Sequence, residues 1–183
     1  MELLEFADAA AWDAWLGTHP DAGEAWLRIG RAGRGAPFLP IGDALEVALC
    51  HGWIDGHRKG LDDVSFRQRY SPRRRGSAWS AVNVAKAEAL IAAGRMRAGG
   101  LAEIEAARAD GRWAGAYASQ ATAEVPSELL TALAADPRAA SAFAALGRTE
   151  QYRVLLPVLK ARTPAARQAR VAGAVAQLAR PVR

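Results

Sequence analysis

The fold is decided by the stretch WIDGHRKGLDDVSFRQRYS, residues 53–71, in which apolar and polar side chains tend to alternate. Successive side chains of a β-strand point to opposite faces, so this period predicts two strands, residues 53–59 and 64–71. The segment 60–63, GLDD, predicts the turn that joins them. The stretch therefore predicts a β-hairpin.

The second strand of this hairpin is predicted to have one apolar and one cationic face. We expect three side chains on the core face: Val64, Phe66 and Tyr70. The opposite face then carries Ser65, Arg67, Arg69 and Ser71. The chain continues through PRRRG, residues 72–76, to a helix start at which Ser77 or Ser80 can cap the backbone. The hairpin thus delivers arginines to the amino end of a helix.

The segments around the hairpin predict the remaining elements. Upstream, apolar spacing predicts a helix over residues 7–16 capped by Asp8, a strand over 25–31 and a helix over 43–51. Downstream, the start and stop signals predict helices only, including one that Pro157 should kink. The start signals are Ala98, Pro126, Asp136-Pro137, Thr149 and Thr163-Pro164. The stop signals are Gly94, Gly111 and Gly147.

These elements predict an α+β fold, with a small antiparallel sheet and helices in an N-terminal portion followed by an all-helical C-terminal portion. We place the boundary between residues 1–117 and 118–183, because residues 118–125 turn small and polar, and expect the two portions to pack as one unit. The first portion carries the GWIDG, SPRR and SxWSxxN motifs.

Composition excludes several classes of protein. With 51% hydrophobic residues and six tryptophans, the 183-residue chain is too apolar for disorder. Its single cysteine, Cys50, cannot form an internal disulfide. No apolar run approaches the roughly 20 residues of a membrane span, and the amino end lacks a signal-peptide pattern. We therefore expect a cytoplasmic protein without a transmembrane segment.

The net charge of +5 is concentrated in two blocks. Residues 57–75 carry seven basic and two acidic groups, and residues 148–183 carry eight and one. The second block could bind nucleic acid or an anionic membrane surface. However, Val171 and Val175 mark an apolar stripe that leaves Arg170 on the polar side, as on an ordinary solvated helix. No recognition helix and no sheet with exposed stacking aromatics is indicated, so nucleic-acid binding is the weakest hypothesis.

The densest group of functional side chains surrounds the hairpin and the helix that follows it. Guanidinium groups, hydroxyls and free N–H groups at a helix start suit phosphate, sulfate or carboxylate, and tryptophan can pack on an attached group. Asp55 is the acid placed to orient an arginine or accept a proton. The candidate ligand-binding residues are Trp53, Asp55, Arg58, Arg67, Arg69, Arg73, Arg74, Ser77, Trp79, Ser80 and Asn83. The alternative is structural: ion-paired arginines, core tryptophans and serine caps.

The spacing of the residues gives little support to a metal site, a catalytic triad or a nucleotide-binding loop. Cys50, His51 and His57 do not have the separation of metal ligands. A Ser80–His57–Asp55 triad would lack the nucleophile elbow. The glycines of residues 30–35 fit neither phosphate-loop nor dinucleotide fingerprints. We therefore expect no metal and no cofactor.

Several motifs, in order and spacing over about residues 40–117, resemble the YdeI/OmpD-associated proteins of bacteria. These are ALCHGWIDG at 48–56, YSPRR at 70–74, SAWSAVN at 77–83, GRM at 94–96, GL at 100–101 and DGRW at 110–113. Residues 26–29 resemble the family's early strand, and residues 160–170 resemble its basic tail more loosely. The chain departs from the family pattern at His51, where an aromatic is expected, and at Ala165-Ala166 in the tail.

The resemblance implies a role in bacterial tolerance of bacteriocins or cationic antimicrobial peptides and in the stress response, with a link to an outer-membrane porin. It implies no established reaction. Because no export signal is evident, an indirect link to the porin is easier to accept. The leading hypothesis is a non-enzymatic protein that binds an anionic small molecule or an anionic protein surface. The alternative is an enzyme acting on a phosphorylated or carboxylated metabolite, with Asp55 as general base.

Overall fold

The computed structural model describes residues 2–35 and 37–180, which form two units. The first unit comprises the residues up to Ser77 together with Asn83–Ala114, and the second comprises Ala78–Val82 and the residues from Gly115 onward. None of the helices in the described ranges is long and apolar enough to cross a membrane.

The prediction of an α+β fold is confirmed, since strands occur in the N-terminal part and helices alone follow from Ser127. The elements in chain order are β1 (Leu3–Glu5), α1 (Ala9–Thr18), β2 (Ala25–Gly30), α2 (Ile41–Cys50), β3 (Trp53–Gly60), β4 (Ser65–Pro72), α3 (Ala81–Ala92), α4 (Ala98–Ala109), α5 (Ser127–Ala134), α6 (Pro137–Ala145), α7 (Arg148–Leu159) and α8 (Pro164–Leu178).

In the described part of the chain, the sheet has four strands in the order β1-β2-β4-β3. The predicted hairpin of β3 and β4 is confirmed, and β4 also pairs antiparallel with β2. The sequence did not predict β1, which is three residues long and pairs parallel with β2. Three residues are too few for a period of two to show.

One face of the sheet is covered by α1 and α2, and its core includes Trp12, Leu27, Ile29, Phe66 and Tyr70. Alternation along the strands turns the intervening side chains to the other face, which we call the outer face. Burial of apolar area on the covered face is the main stabilising contribution to this unit. The outer face is left for polar and charged side chains.

One detail of the predicted strand β4 is wrong, and a second needs an addition. Val64 was expected in the core but lies before β4 and is exposed, because the turn extends to it. Ser65 lies on the predicted cationic face, beside Arg28, but is fully buried there. The Asp62 carboxylate accepts a hydrogen bond from its hydroxyl at 2.8 Å, and Arg28 Nε donates to that hydroxyl at 2.9 Å.

The start of α4 packs unusually closely against the end of α2. Gly52 has a φ of +77°, which favours glycine, and a Cβ added to it would lie 2.7 Å from the Gly99 carbonyl oxygen. A Cβ added to Gly99 would lie 2.7 Å from the His51 carbonyl oxygen. The first glycine of the GWIDG motif therefore has a packing role.

The second unit has its own core, which includes Leu129, Phe143, Leu155, Val158 and Val171. Its helices α5, α6 and α7 each contact α8. The predicted helix starts are largely confirmed, because the Asp136 and Thr163 side chains cap α6 and α8. Helix α7 begins at Arg148, one residue before the predicted Thr149, and contains Pro157.

Candidate functional site

Both tryptophans that were expected to wall a ligand site are buried. Trp53 is 5% exposed and meets Trp12 edge-on, with ring centroids 6.2 Å apart. Trp79, in the second unit, is 2% exposed. In this respect the structural alternative, core tryptophans, describes the protein better than a ring-binding wall does.

Asp55 lies on the covered side of the sheet, in register with Tyr70. Its carboxylate is exposed at the sheet edge. The Tyr70 hydroxyl is buried without a hydrogen-bond partner. Burial, and to a smaller extent the nearby Asp55 carboxylate, raises the pKa of Tyr70 far above its usual value. Asp55 therefore faces the side of the sheet that carries the hydrophobic core.

Arg58 also lies on the covered side, where it is held by packing. Its guanidinium carbon stands 4.5 Å from the Phe66 ring centroid, and its Nε donates to Gln68 Oε1 at 3.1 Å. The pairing of β3 with β4 is irregular between Asp55 and Arg58, as in a β-bulge. Gln68 is buried and its amide donates to the Gly56 carbonyl at 2.9 Å within this irregularity.

Arg67 and Arg69 point to the outer face, opposite to Asp55 and Arg58. Arg67 is in register with Arg28 on β2 and with Lys59 on β3. Three cationic residues thus stand side by side across three neighbouring strands. We call Arg28, Arg67 and Lys59 the cation row.

Carboxylates neutralise only part of the charge on the outer face. Arg28 pairs with Glu5 at 3.0 Å and with Asp62 at 2.6 Å, and these bonds raise the pKa of Arg28. Arg69, next to the cation row, pairs with Glu24 at 2.6 Å. The Arg67 and Lys59 side chains, in contrast, pair with no carboxylate of the described residues.

Arg67 is also held in place by an aromatic ring. Its guanidinium carbon lies 5.4 Å from the centroid of the half-buried Trp26 ring on β2. Its Nε is buried without a hydrogen-bond partner. Because Nε is buried, only the terminal Nη groups of a guanidinium held over an indole can donate to an outside acceptor. Arg67 is thus positioned as a donor towards the outer face.

The remaining predicted residues lie away from this row. Arg73 is buried, and its backbone N–H donates to the Gly52 carbonyl at 2.9 Å, whereas Arg74 is exposed. Ser77 precedes α3 by four residues, and its carbonyl accepts a hydrogen bond from Arg112 at 2.9 Å. Ser80 stands directly before α3 and forms a β-bridge with Tyr117 in the second unit.

Asn83 is the third residue of α3 and belongs to the first unit. Of the predicted ligand-binding residues, the structure therefore brings together Arg67 and Arg69 on the outer face, and Asp55 and Arg58 on the covered side. The side chains that were predicted to bind one ligand are therefore divided between the two sides of the sheet.

Three outer-face residues were missing from the predicted site, namely Trp26, Arg28 and Lys59. The alternation of residues 25–31 gives the face of Arg28, but only the strand order places β2 next to β4. Since the sequence contains no signal for that pairing, the cation row could not be derived from it.

Among the described residues, no three His, Cys, Asp or Glu side chains are grouped closely enough to hold a metal ion. Cys50 is buried, and this burial raises the pKa of its thiol. His51 bonds to Asp13 at 2.8 Å, and Arg97 pairs with the same carboxylate at 2.6 Å. The Arg97 hydrogen bond in particular lowers the pKa of Asp13.

The fold and the outer face describe the class of this protein. It is an α+β protein whose sheet has a charged face, with a helical unit after the sheet. Residues 4–103 match the family model of a domain of unknown function, DUF8412. Because this match spans more than half of the chain, the protein belongs to that family.

A second family model, described as "Bacteriocin-protection, YdeI or OmpD-Associated", matches residues 122–180. It confirms the resemblance to that family and indicates a bacteriocin-protection role. The match falls on the helical part, whereas the motifs that carried the resemblance lie within residues 40–117. No curated protein and no solved structure matches the chain.

Proposed function

We propose that the protein acts in protection against bacteriocins by recognition rather than turnover, and that the cation row binds an anionic group of its ligand or partner. The match over residues 122–180 supports the protective role. The arrangement of Arg28, Arg67 and Lys59 supports the anionic partner.

The proposal that the cation row binds an anion is supported by the alignment of its like charges on neighbouring strands. Residues directly opposite each other on neighbouring strands have Cβ atoms about 5 Å apart, and like charges in such pairs are destabilising. Glu5 and Asp62 relieve this repulsion at Arg28, but no described carboxylate does so at Arg67 and Lys59. A bound anion would supply the missing counter-charge.

The chemistry of the two side chains indicates the kind of anion. A guanidinium group donates two parallel hydrogen bonds to carboxylate or phosphate oxygens, and an ammonium group adds a point charge. The two side chains lie next to each other on one open surface, so both can contact the same group. A phosphate, sulfate or carboxylate attached to a larger partner fits this pair.

The competing enzyme hypothesis requires Asp55 to act on the bound anion. Asp55 and the cation row lie on opposite faces of the sheet. A general base must come within hydrogen-bond reach of the proton that it takes, so Asp55 is not placed to act on a ligand of the row. This separation favours binding over catalysis.

We further propose that the protein acts in the cytoplasm and that any link to a porin is indirect, as the sequence led us to expect. The test is survival of a strain deleted for the gene under bacteriocin or cationic-peptide challenge. The wild-type gene should restore survival, whereas Arg67→Gln combined with Lys59→Gln should not.

The matched control combines Arg75→Gln with Arg138→Gln, which removes the same charge from exposed positions outside the cation row. The control should restore survival like the wild type. Restoration by the Arg67/Lys59 variant would overturn the role of the cation row, and no effect of the deletion would overturn the protective role.

A further inference from the structure

The second unit carries a surface groove between α8 and the pair α6 and α7. Its volume is about 760 Å³. Apolar side chains form its walls, among them Leu146, Val154, Pro157 and Leu178. Along α8 the lining runs from Ala169 to Arg180. The helical part of this lining, from Ala169 to Leu178, is about 13.5 Å long at 1.5 Å of rise per residue, or two and a half turns.

The rim of this groove is positively charged. Arg153 stands on α7, and Arg170 and Arg180 stand on the α8 side. Glu150 is the acidic residue of the lining, 3.8 Å from Arg153. Neither Arg170 nor Arg180 forms an ion pair with a described residue. A partner with acidic side chains beside an apolar surface would match both the positive rim and the apolar walls of the groove.

Gly173 opens the middle of the groove. It lies inside α8, and a Cβ added to it would meet nothing within 4 Å. Glycine inside a helix is destabilising relative to alanine. The fold itself therefore gives no packing reason for a glycine here. Its absent side chain leaves room for another backbone to approach.

We propose that this groove binds an amphipathic α-helix of a partner protein, with an apolar stripe facing the floor and acidic residues on its flanks. Helix-in-groove recognition uses an apolar floor of this length, with anchors at i, i+3, i+4 and i+7. The arginines of the rim select an acidic helix over a basic one. The groove belongs to the second unit and does not depend on the cation row.

The first test uses the full chain and a labelled synthetic peptide of about 14 residues, with leucine at helical anchor positions and glutamate on both flanks. Fluorescence anisotropy measures its binding. Gly173→Leu fills the groove and should weaken binding by at least about tenfold, which corresponds to 1.4 kcal/mol.

Gly17→Leu is the matched control for this substitution. Gly17 is also a helical glycine, in α1, with nothing within 4 Å of an added Cβ. It should bind the peptide like the wild type. Circular dichroism verifies that both variants keep their helices, so a loss of binding is attributed to the filled groove.

The second test exchanges the charges. Arg153→Glu combined with Arg170→Glu should weaken binding of the glutamate peptide and allow binding of a peptide with lysine on its flanks. Equal binding of both peptides to the wild type would overturn the proposal, as would unchanged binding to Gly173→Leu. Self-association of the chain that Gly173→Leu abolishes, seen by sedimentation, would also overturn it in favour of a second copy.

Discussion

Lys59 of β3 and Arg67 of β4 are paired in register on the outer face of the sheet. Arg28 of β2 continues the row on the other side of Arg67 and is neutralised by Glu5 and Asp62. The pair Lys59–Arg67 is not neutralised by a described carboxylate. This difference in neutralisation is the reason for placing the anion site at Lys59 and Arg67.

Removing one charge of the pair should stabilise the protein when no anion is bound. Lys59→Gln relieves the repulsion across β3 and β4, so we expect ~0.2–1 kcal/mol of added stability at low salt. The gain should shrink as salt screens the charges. Urea unfolding at two salt concentrations measures it, with Arg138→Gln as the control. An unchanged or lower stability would show that the two charges do not repel.

Gly99→Ala should destabilise the protein. The added Cβ would lie 2.7 Å from the His51 carbonyl oxygen, so α4 or the end of α2 must move. Overpacking of this kind costs ~1–3 kcal/mol. The control is Gly42→Ala in α2, where nothing lies within 4 Å and a gain of ~0.5–1 kcal/mol is expected. If Gly99→Ala and the wild type unfolded at the same urea concentration, the close approach of Gly99 to the His51 carbonyl oxygen would be contradicted.

Gln68→Leu should destabilise the irregular part of β3. The change removes the donor to the Gly56 carbonyl and the acceptor of Arg58 Nε. Loss of one partner from a buried hydrogen bond costs ~1–3 kcal/mol. Hydrogen exchange should accelerate around residues 56–58, while Gln168→Leu on the exposed side of α8 leaves it unchanged. Unaltered exchange would argue against Gln68 as the support of this segment.

Asp62 should contribute stability that depends on pH. Hydrogen bonds, first from the Ser65 hydroxyl and then from the Val64 N–H and Arg28, lower the pKa of Asp62 from 3.8 to about 2. A lowered folded pKa means that the stabilisation is complete above 3.8 and is lost as the pH falls through about 2. The stability gap between wild type and Asp62→Asn should therefore close over this range.

The control for this prediction is Asp63→Asn, one residue further along the same turn, whose carboxylate forms none of these bonds. Its stability should run parallel to the wild type over the same pH range. A gap between wild type and Asp62→Asn that stays constant down to pH 2 would contradict the hydrogen-bonded carboxylate.

Local sequence patterns predicted the hairpin and the helix caps because both depend on neighbouring residues. Asp8, for example, accepts a hydrogen bond from the Ala11 N–H at 2.9 Å, as its position before an apolar helix indicated. The burial of Trp53 and Trp79 did not follow in the same way. An aromatic side chain has the same local pattern in a core and beside a ligand.

The candidate site also shows that a local sequence pattern does not tell which distant residues become neighbours. Alternation placed Arg67 and Arg69 on one face of β4, and the structure agrees. It could not show that Arg28 is their neighbour, because the pairing of β2 with β4 arises from packing between distant segments. The predicted hairpin did place β3 beside β4, but the irregularity between Asp55 and Arg58 shifts the register that sets Lys59 opposite Arg67. Arg58 was grouped with them by sequence distance, yet it stacks on Phe66 on the other side.

The most direct test of the central claim is the stabilisation of the protein by anions. Phosphate and sulfate, compared with chloride at equal ionic strength, should raise the melting temperature of the wild type and of Arg138→Gln. The increase should be largely absent in Arg67→Gln. An equal increase in all three proteins, or none in the wild type, would contradict an anion site at Arg67 and Lys59.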